Sequence, residues 1–427
     1  MNPVREHQNT QVSTSPVPPS SEHSSNGVKK VLIFSLQYYP FVGGAEVAIK
    51  EITDRMPLQE FEFHMVTARF DTHLPKNERI GNVIVHRIGL ATKSPGIGNL
   101  KKFPLHLNKY LFQLLAPLKA MNLHRKHHFS MTWGMMAHAT AIPAGIFKYF
   151  HPEVPYLLTL QEGDPTEHIE RMMRPVWPLF AQGFRTADAL QPISTFLLLW
   201  GKRMGFTGDS NVIPNGVDIE LFATLQDIHE IEKTKEGLGK KPGDIFLVTT
   251  SRLVHKNAID DVIRALPLLP ENISFLVYGI GPDEQMLRKL SEDLGVLDRV
   301  KFMGHIDHED MPLMLASTDI FVRPSRSEGM GNSFIEAMAA GVPVIATQEG
   351  GLSDFLFDEA RNPGIRPTGW AVDANSPEQI VRAVEDILAN PQKVRDITLQ
   401  AQKQALEGYN WRSIAGSMEE LFSRLTG

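Results

Sequence analysis

The chain has 427 residues, 42% of them apolar and 22% charged, with a formal net charge of −6 and no cysteine. Such a length is too great for one core and calls for two or three domains. The charge gives no global field for nucleic acid, and the missing thiols exclude disulfides, thiolate metal sites and cysteine nucleophiles. No apolar run approaches the roughly 18 residues of a membrane span.

Taken in chain order, residues 1–29 are read as a disordered tail. They are rich in Ser, Thr and Pro (Ser13-Thr-Ser-Pro-Val-Pro-Pro-Ser20). They hold too little apolar surface to offset the entropy of ordering, and lack the apolar centre of a secretory signal. Strand-like runs follow at Val31–Leu36, Phe61–Thr67, Val83–Ile88, Ser130–Trp133, Tyr156–Leu160 and Ala189–Ile193, with helical stretches between them. A second series lies at Ile245–Thr250, Ser274–Tyr278, Val300–Met303, Asp319–Val322 and Val342–Ala346. This alternation predicts an α/β protein of two doubly wound, Rossmann-like domains, whose parallel sheets carry helices on both faces. The seam is expected at Ile213-Pro-Asn-Gly-Val-Asp218, where Pro, Asn and Gly break regular structure. The expected boundaries are 30–214 for the first domain and 215–408 for the second, with 409–427 as a terminal segment.

Leu100–Phe129 mixes Leu, Phe and Met with Lys, Arg and His, the composition of an interfacial amphipathic helix. The competing reading is a helix pair with one apolar stripe on the sheet and a solvated basic face, because Pro104 and Pro117 would interrupt any long helix. His124, His127 and His128 are read as solvated on that basic face rather than as metal ligands, and no metal site is assigned.

Polar clusters stand at the carboxyl ends of several runs, where ligands bind in open parallel sheets. After the first run comes Gly43-Gly44-Ala-Glu46, a pair of glycines at a helix start that allows close backbone approach to a phosphate. After Tyr156–Leu160 comes Gln161-Glu162-Gly163-Asp164-Pro165. Either Glu162 or Asp164 can orient an acceptor hydroxyl there, or the cluster is only a turn with an Asp–Pro stop. After Ile245–Thr250 stand Arg252 and Lys256, a bidentate fork and a point charge suited to a leaving diphosphate. After Asp319–Val322, Glu328 and Glu336 flank a loop of Gly329, Met330, Gly331, Asn332 and Ser333. The N–H groups of such a loop suit a diphosphate and the carboxylates suit sugar hydroxyls, which together describe a nucleotide sugar. A capping box between Ser333 and Glu336 is the competing role for the second glutamate.

The combination Gly43-Gly44-Ala-Glu46, Ile213-Pro-Asn-Gly-Val-Asp218, Ser251-Arg252-Leu…Lys256, Tyr278-Gly279-Ile-Gly281-Pro282 and Glu328 to Glu336 resembles the retaining glycosyltransferases of GT-B fold, the group 1 or sucrose synthase-like family. The resemblance implies two Rossmann-like domains with a cleft between them and the segment from 409 crossing back, with Trp411, to complete the first. It implies sugar transfer from a nucleotide-diphosphate donor to a carbohydrate or lipid-linked acceptor with retention, no cofactor and no metal. Glu336 then holds the ribose, Glu328 the donor sugar, Arg252 and Lys256 the diphosphate. Gly43, Gly44, Gly279, Gly281 and the loop from Gly329 to Ser333 complete the donor site, with Gln161, Glu162 and Asp164 toward the acceptor. Gln161 departs from the pattern, since many relatives carry a histidine there and glutamine cannot titrate. The expected setting is cytoplasmic, with peripheral contact at the inner face of a membrane and no nucleic-acid partner. A nucleotide-sugar epimerase, a phosphorylase and a non-catalytic donor-binding scaffold are the rival readings.

Overall fold

The computed structural model describes residues 27–224 and 226–427. The tail expected over 1–29 lies outside the described residues except for its last three, and Lys29 already opens the first strand.

Eight strands form the first sheet: β1 (Lys29–Phe34), β2 (Phe61–Ala68), β3 (Asn77–Ile80), β4 (Val83–Ile88), β5 (Met131–Met135), β6 (Tyr156–Leu160), β7 (Ala189–Pro192) and β8 (Asp209–Ser210). Their order is β3-β4-β2-β1-β5-β6-β7-β8. Six more form the second: β9 (Ile245–Thr250), β10 (Ile273–Tyr278), β11 (Val300–Gly304), β12 (Ile320–Arg323), β13 (Val344–Ala346) and β14 (Trp370–Ala371), in the order β11-β10-β9-β12-β13-β14. Pairing is parallel throughout, except that β3 runs antiparallel to β4. Val31, Leu32, Ile33 and Phe34 have no solvent exposure. A strand covered on both faces has no wet side, so β1 reads as a continuous apolar run rather than an alternating one. Three strands escape that signal. β3 is Asn-Glu-Arg-Ile on an exposed edge, and β8 and β14 are two residues each.

The strand order reverses between β1 and β5 in one sheet and between β9 and β12 in the other. At such switch points neighbouring loops diverge beyond the carboxyl ends and leave a crevice. The loops concerned are those that carry Gly43 and Gly44, Arg252 and Lys256, and Glu328 to Gly331.

The terminal helix Trp411–Thr426 lies on the first sheet. Its Trp411, Ile414, Met418, Leu421 and Phe422 are buried with Val31, Phe61, Phe63 and Trp133, and the Phe422 ring meets Trp133 edge-on at 5.1 Å. Five buried side chains at about 1.5–3 kcal/mol each are ample to fasten it. On its way there the chain passes beside the segment that left the first sheet: the Val217 N–H donates to the Tyr409 carbonyl at 2.7 Å. A Cβ on Gly216 would strike Trp411 at 2.5 Å, so the two segments touch backbone to ring.

The basic stretch folds differently from the expectation of interrupted helices. A single helix, Asn108–His127, runs through Pro117, with only short turns before it. Proline removes one backbone donor, and the apolar packing of this helix outweighs that loss. Phe112, Ala116, Ala120 and Leu123 are buried toward the sheet, while Tyr110, Leu114 and Leu118 form a second ridge facing outward. Of the three histidines only His128 is exposed. His124 packs on Phe147 and His151, and His127 lies against His64 of β2.

Candidate active site

The loop after β12 is built around Arg323, the last residue of that strand. An arginine in an otherwise apolar run is costly to bury unless its donors find partners, and here Nε alone lacks one. Here the guanidinium donates to the Thr250 carbonyl at 3.0 Å, the Ser333 hydroxyl at 2.8 Å and Glu328 Oε2 at 3.1 Å. It also lies over the Phe334 ring, 4.1 Å from its centroid. Burial pushes its pKa down, against the pull of Glu328 and Glu336. Sequence reasoning missed Arg323, although a charged residue closing the run Ile-Phe-Val-Arg was the available signal. Glu328 is therefore not a solvated loop acid: it is held by Arg323, and its other oxygen accepts from the Gly329 N–H at 3.2 Å.

Gly331 turns the chain into the helix Asn332–Ala339 at φ +89°, a left-handed conformation that disfavours any Cβ. Glu336 lies one turn into that helix. It is not in the capping box, because the Ser333 hydroxyl is turned toward Arg323 and the Glu336 carboxylate toward His308 Nε2, 3.4 Å away. His308 stacks edge-on against Phe222 at 5.2 Å and was not foreseen. Its partnership with Glu336 raises the imidazole pKa, with burial opposing. The charged pair is thus complete below the ordinary histidine range and is lost as pH rises through the raised value. An NMR titration should place the His308 midpoint above that of a free imidazole, and Glu336→Gln should bring it down.

Lys256 reaches across from the second sheet to the first. Its ammonium donates to the Gly163 carbonyl and stands 3.9 Å from Asp164 Oδ1. Burial lowers its pKa, and Glu328 and Asp164 counter that. Gly163 and Gly329 let the two lobes meet here: a Cβ on Gly329 would overlap the Glu162 carbonyl, and one on Gly163 would lie 3.0 Å from the Lys256 nitrogen. Arg252 is exposed and its side chain has no partner among the described residues, so its charge is available to a ligand.

Other expected residues fall elsewhere. The side chain of Gln161 is buried and exchanges amide hydrogen bonds with Asn215, at 2.9 and 3.3 Å, which turns it toward the interlobe segment. The Asn215 N–H in turn points at the Met330 sulfur at 3.2 Å, which ties β6, the interlobe segment and the glycine loop together. Asn215 was read only as a breaker of regular structure. Glu162 is also turned inward. Its side chain is fully buried, accepting from the Gln161 N–H at 3.0 Å and the His138 N–H at 3.3 Å, which fixes the start of the helix Ala137–Phe150 instead of an acceptor. Of the three, Asp164 alone is open, with 60% of its side chain exposed. Gly279 and Gly281 are explained within the protein: a Cβ on either would overlap the backbone of Ser251 or Leu253. Gly43 donates its N–H to Glu46 at 2.7 Å, closing the helix start, whereas a Cβ on Gly44 would meet nothing within 4 Å.

The family model for glycosyl transferases group 1 matches residues 230–404, and that for glycosyltransferase family 4 matches residues 42–221. A GDP-mannose-dependent alpha-(1-6)-phosphatidylinositol monomannoside mannosyltransferase of Mycolicibacterium smegmatis is 33% identical over 221 residues, 49% of this chain and 55% of that protein. The chain thus spans about half the length of the first curated relatives it matches, 54% to 55%. An uncharacterized glycosyltransferase of Methanocaldococcus jannaschii is 23% identical over 93% of this chain and 98% of its own. Among solved structures, sucrose-phosphate synthase of Thermosynechococcus elongatus superposes with a TM-score of 0.75 at 20% identity, over 93% of this chain and 99% of that one. HepE of Anabaena, in complex with UDP and glucose, gives 0.71 at 21%, over 93% and 100%. At these identities the structural likeness is one of fold, and it is shared from end to end.

Proposed function

Because this chain belongs to the glycosyl transferases group 1 and has the GT-B fold, we propose that it moves a sugar from a nucleotide-diphosphate donor to an acceptor hydroxyl, with retention and without a metal. The observation that carries the reading is the meeting of Lys256, Glu328 and Gly329, from the loops after β9 and β12, with Gly163 in the loop after β6. Breaking the bond between the sugar C1 and the diphosphate oxygen moves a negative charge onto the leaving group. Preorganised positive groups aimed at that charge lower the barrier. Lys256 exchanges the Gly163 carbonyl for a diphosphate oxygen, Arg252 supplies a second cation, and the N–H groups of the glycine loop complete the cradle. Glu336, steadied by His308, takes the ribose hydroxyls, and Glu328, oriented by Arg323, takes those of the sugar. The acceptor oxygen bonds to C1 on the face the diphosphate leaves, and its proton passes to the departing phosphate oxygen. No protein base is then needed, which accommodates an amide at Gln161. Asp164, open beside Lys256, is the residue we assign to the acceptor side.

A panel of nucleotide sugars, GDP-mannose among them, tests this. Sugar transfer or slow donor hydrolysis supports it. Inversion of the free donor would make the protein an epimerase, and binding without turnover would make it a scaffold.

We propose a lipid-linked acceptor, met at a membrane surface. Several relatives are named for acceptors built on phosphatidylinositol. Among the described residues no helix is long and apolar enough to cross a membrane. The outward ridge of Asn108–His127 nevertheless exposes Tyr110 by 59%, Leu114 by 66% and Leu118 by 61%, beside Phe103 at 80%. Exposed Lys102 and Lys109 flank it, a pattern that suits an anionic interface. Flotation with anionic vesicles should carry the protein upward. The double variant Leu114→Glu, Leu118→Glu should bind at least about tenfold more weakly, since ~1.5 kcal/mol or more of burial is lost per leucine.

A further inference from the structure

We propose that Glu62, His64 and His127 form a site for a zinc-type divalent cation, which fastens the end of the helix Asn108–His127 to β2. The site lies toward the amino end of β2, whereas the donor loops leave the carboxyl ends of the strands, so it is separate from the chemistry proposed above. One ligand atom from each of the three residues lies within 4.8 Å of the others. Glu62 and His64 stand two apart on a strand and project to the same side. His127 comes from the last residue of the helix, its ring 4.3 Å from that of His64, and it has no hydrogen-bond partner among the described residues. Two imidazoles and a carboxylate, with one position left for water, are a familiar tetrahedral zinc set.

The hydrogen bonds behind His64 supply the second argument. Asn77 Oδ1 lies 2.9 Å from His86 Nδ1, and His86 Nε2 lies 3.0 Å from His64 Nδ1. An amide oxygen only accepts, so His86 Nδ1 carries the hydrogen and His86 Nε2 accepts. His64 Nδ1 must then donate, which leaves His64 Nε2 as a lone pair 2.8 Å from Glu62 Oε1. Two acceptors repel at that separation unless a cation joins them. A proton on Nε2 would make His64 an imidazolium with only 2% of its side chain exposed, and a charge is costly to bury. A metal on Nε2 satisfies the whole chain, with His86 and Asn77 as the outer partners that fix the ring and its tautomer.

The neighbouring cluster of His124, His151 and Glu153 also brings its ligand atoms within 4.8 Å. There, however, His124 Nδ1 already accepts the Phe129 N–H at 3.1 Å, which places the ring hydrogen on Nε2 and takes that atom out of coordination.

The full-length protein, stripped of metal, should be titrated with Co²⁺ followed by visible absorption, and with Zn²⁺ by calorimetry. One equivalent, tetrahedral Co²⁺ bands and a higher melting temperature with Zn²⁺ are expected. Glu62→Gln and His127→Ala, both at partly exposed positions, should each weaken binding by about 100-fold or more, since even outer partners are worth 10–100-fold. His151→Ala should bind as the parent does. The opposite proton order, with the Asn77 amide reversed and His64 donating to Glu62, needs no cation and predicts no saturable binding. That result, or equal binding by Glu62→Gln and His127→Ala, would overturn the proposal.

Discussion

Lys256→Ala should lower turnover 10²–10³-fold, the ~3 kcal/mol typical of losing one group preorganised for a developing charge. The effect should appear in kcat and kcat/KM alike, because the charge on the diphosphate grows as the bond breaks and the ammonium is worth most then. Lys256→Arg should recover part of the rate, since it restores the charge without the compact geometry. Stability should change little by comparison: the ammonium gives up the Gly163 carbonyl and a 3.9 Å pairing with the exposed Asp164, at the border of the cleft. Steady-state kinetics beside a melting curve separate the two readouts. Turnover equal to the parent's in a folded Lys256→Ala protein would remove this lysine from the mechanism.

Arg323→Met should cost about 3–5 kcal/mol of unfolding free energy, the range for removing one partner of a buried ion pair. The methionine replaces the stem but leaves the Glu328 carboxylate, 12% exposed, without its cation, and the Ser333 hydroxyl and Thr250 carbonyl without their donor. Denaturant unfolding at neutral pH measures the loss directly. Adding Glu328→Gln should return more than half of it, because the neutral amide no longer needs a counter-charge. If Arg323→Met unfolds at the same denaturant concentration as the parent, the guanidinium is not the support of the loop.

The arrangement of strands was legible because the sheets are largely buried on both faces, and β1, β9 and β10 each hold a run of apolar residues. The short edge strands β3, β8 and β14 carry no such run. Glu328 and the loop after it stood out as a carboxylate beside glycines at a strand end. Their supports, Arg323, Asn215 and His308, were hidden because each acts through a partner distant in sequence: Thr250 for Arg323, Gln161 and Met330 for Asn215, Glu336 for His308. Pairing across the fold cannot be read from local spacing. For the same reason Gln161 and Glu162 were read as open groups, although both spend their polar atoms on neighbours. Pro117 misled in the other direction, since a breaker in isolation is tolerated where packing on both sides of it is strong.

The chain crosses between its two lobes near Ile213–Asp218 and returns at Tyr409–Trp411, and the two crossings are bonded to each other through Val217 and Tyr409. Two crossings bonded side by side fix the lobes to each other at a single edge, so the relative placement of the charges on the two lobes is set by this paired connection together with the contact of Lys256 and Gly163.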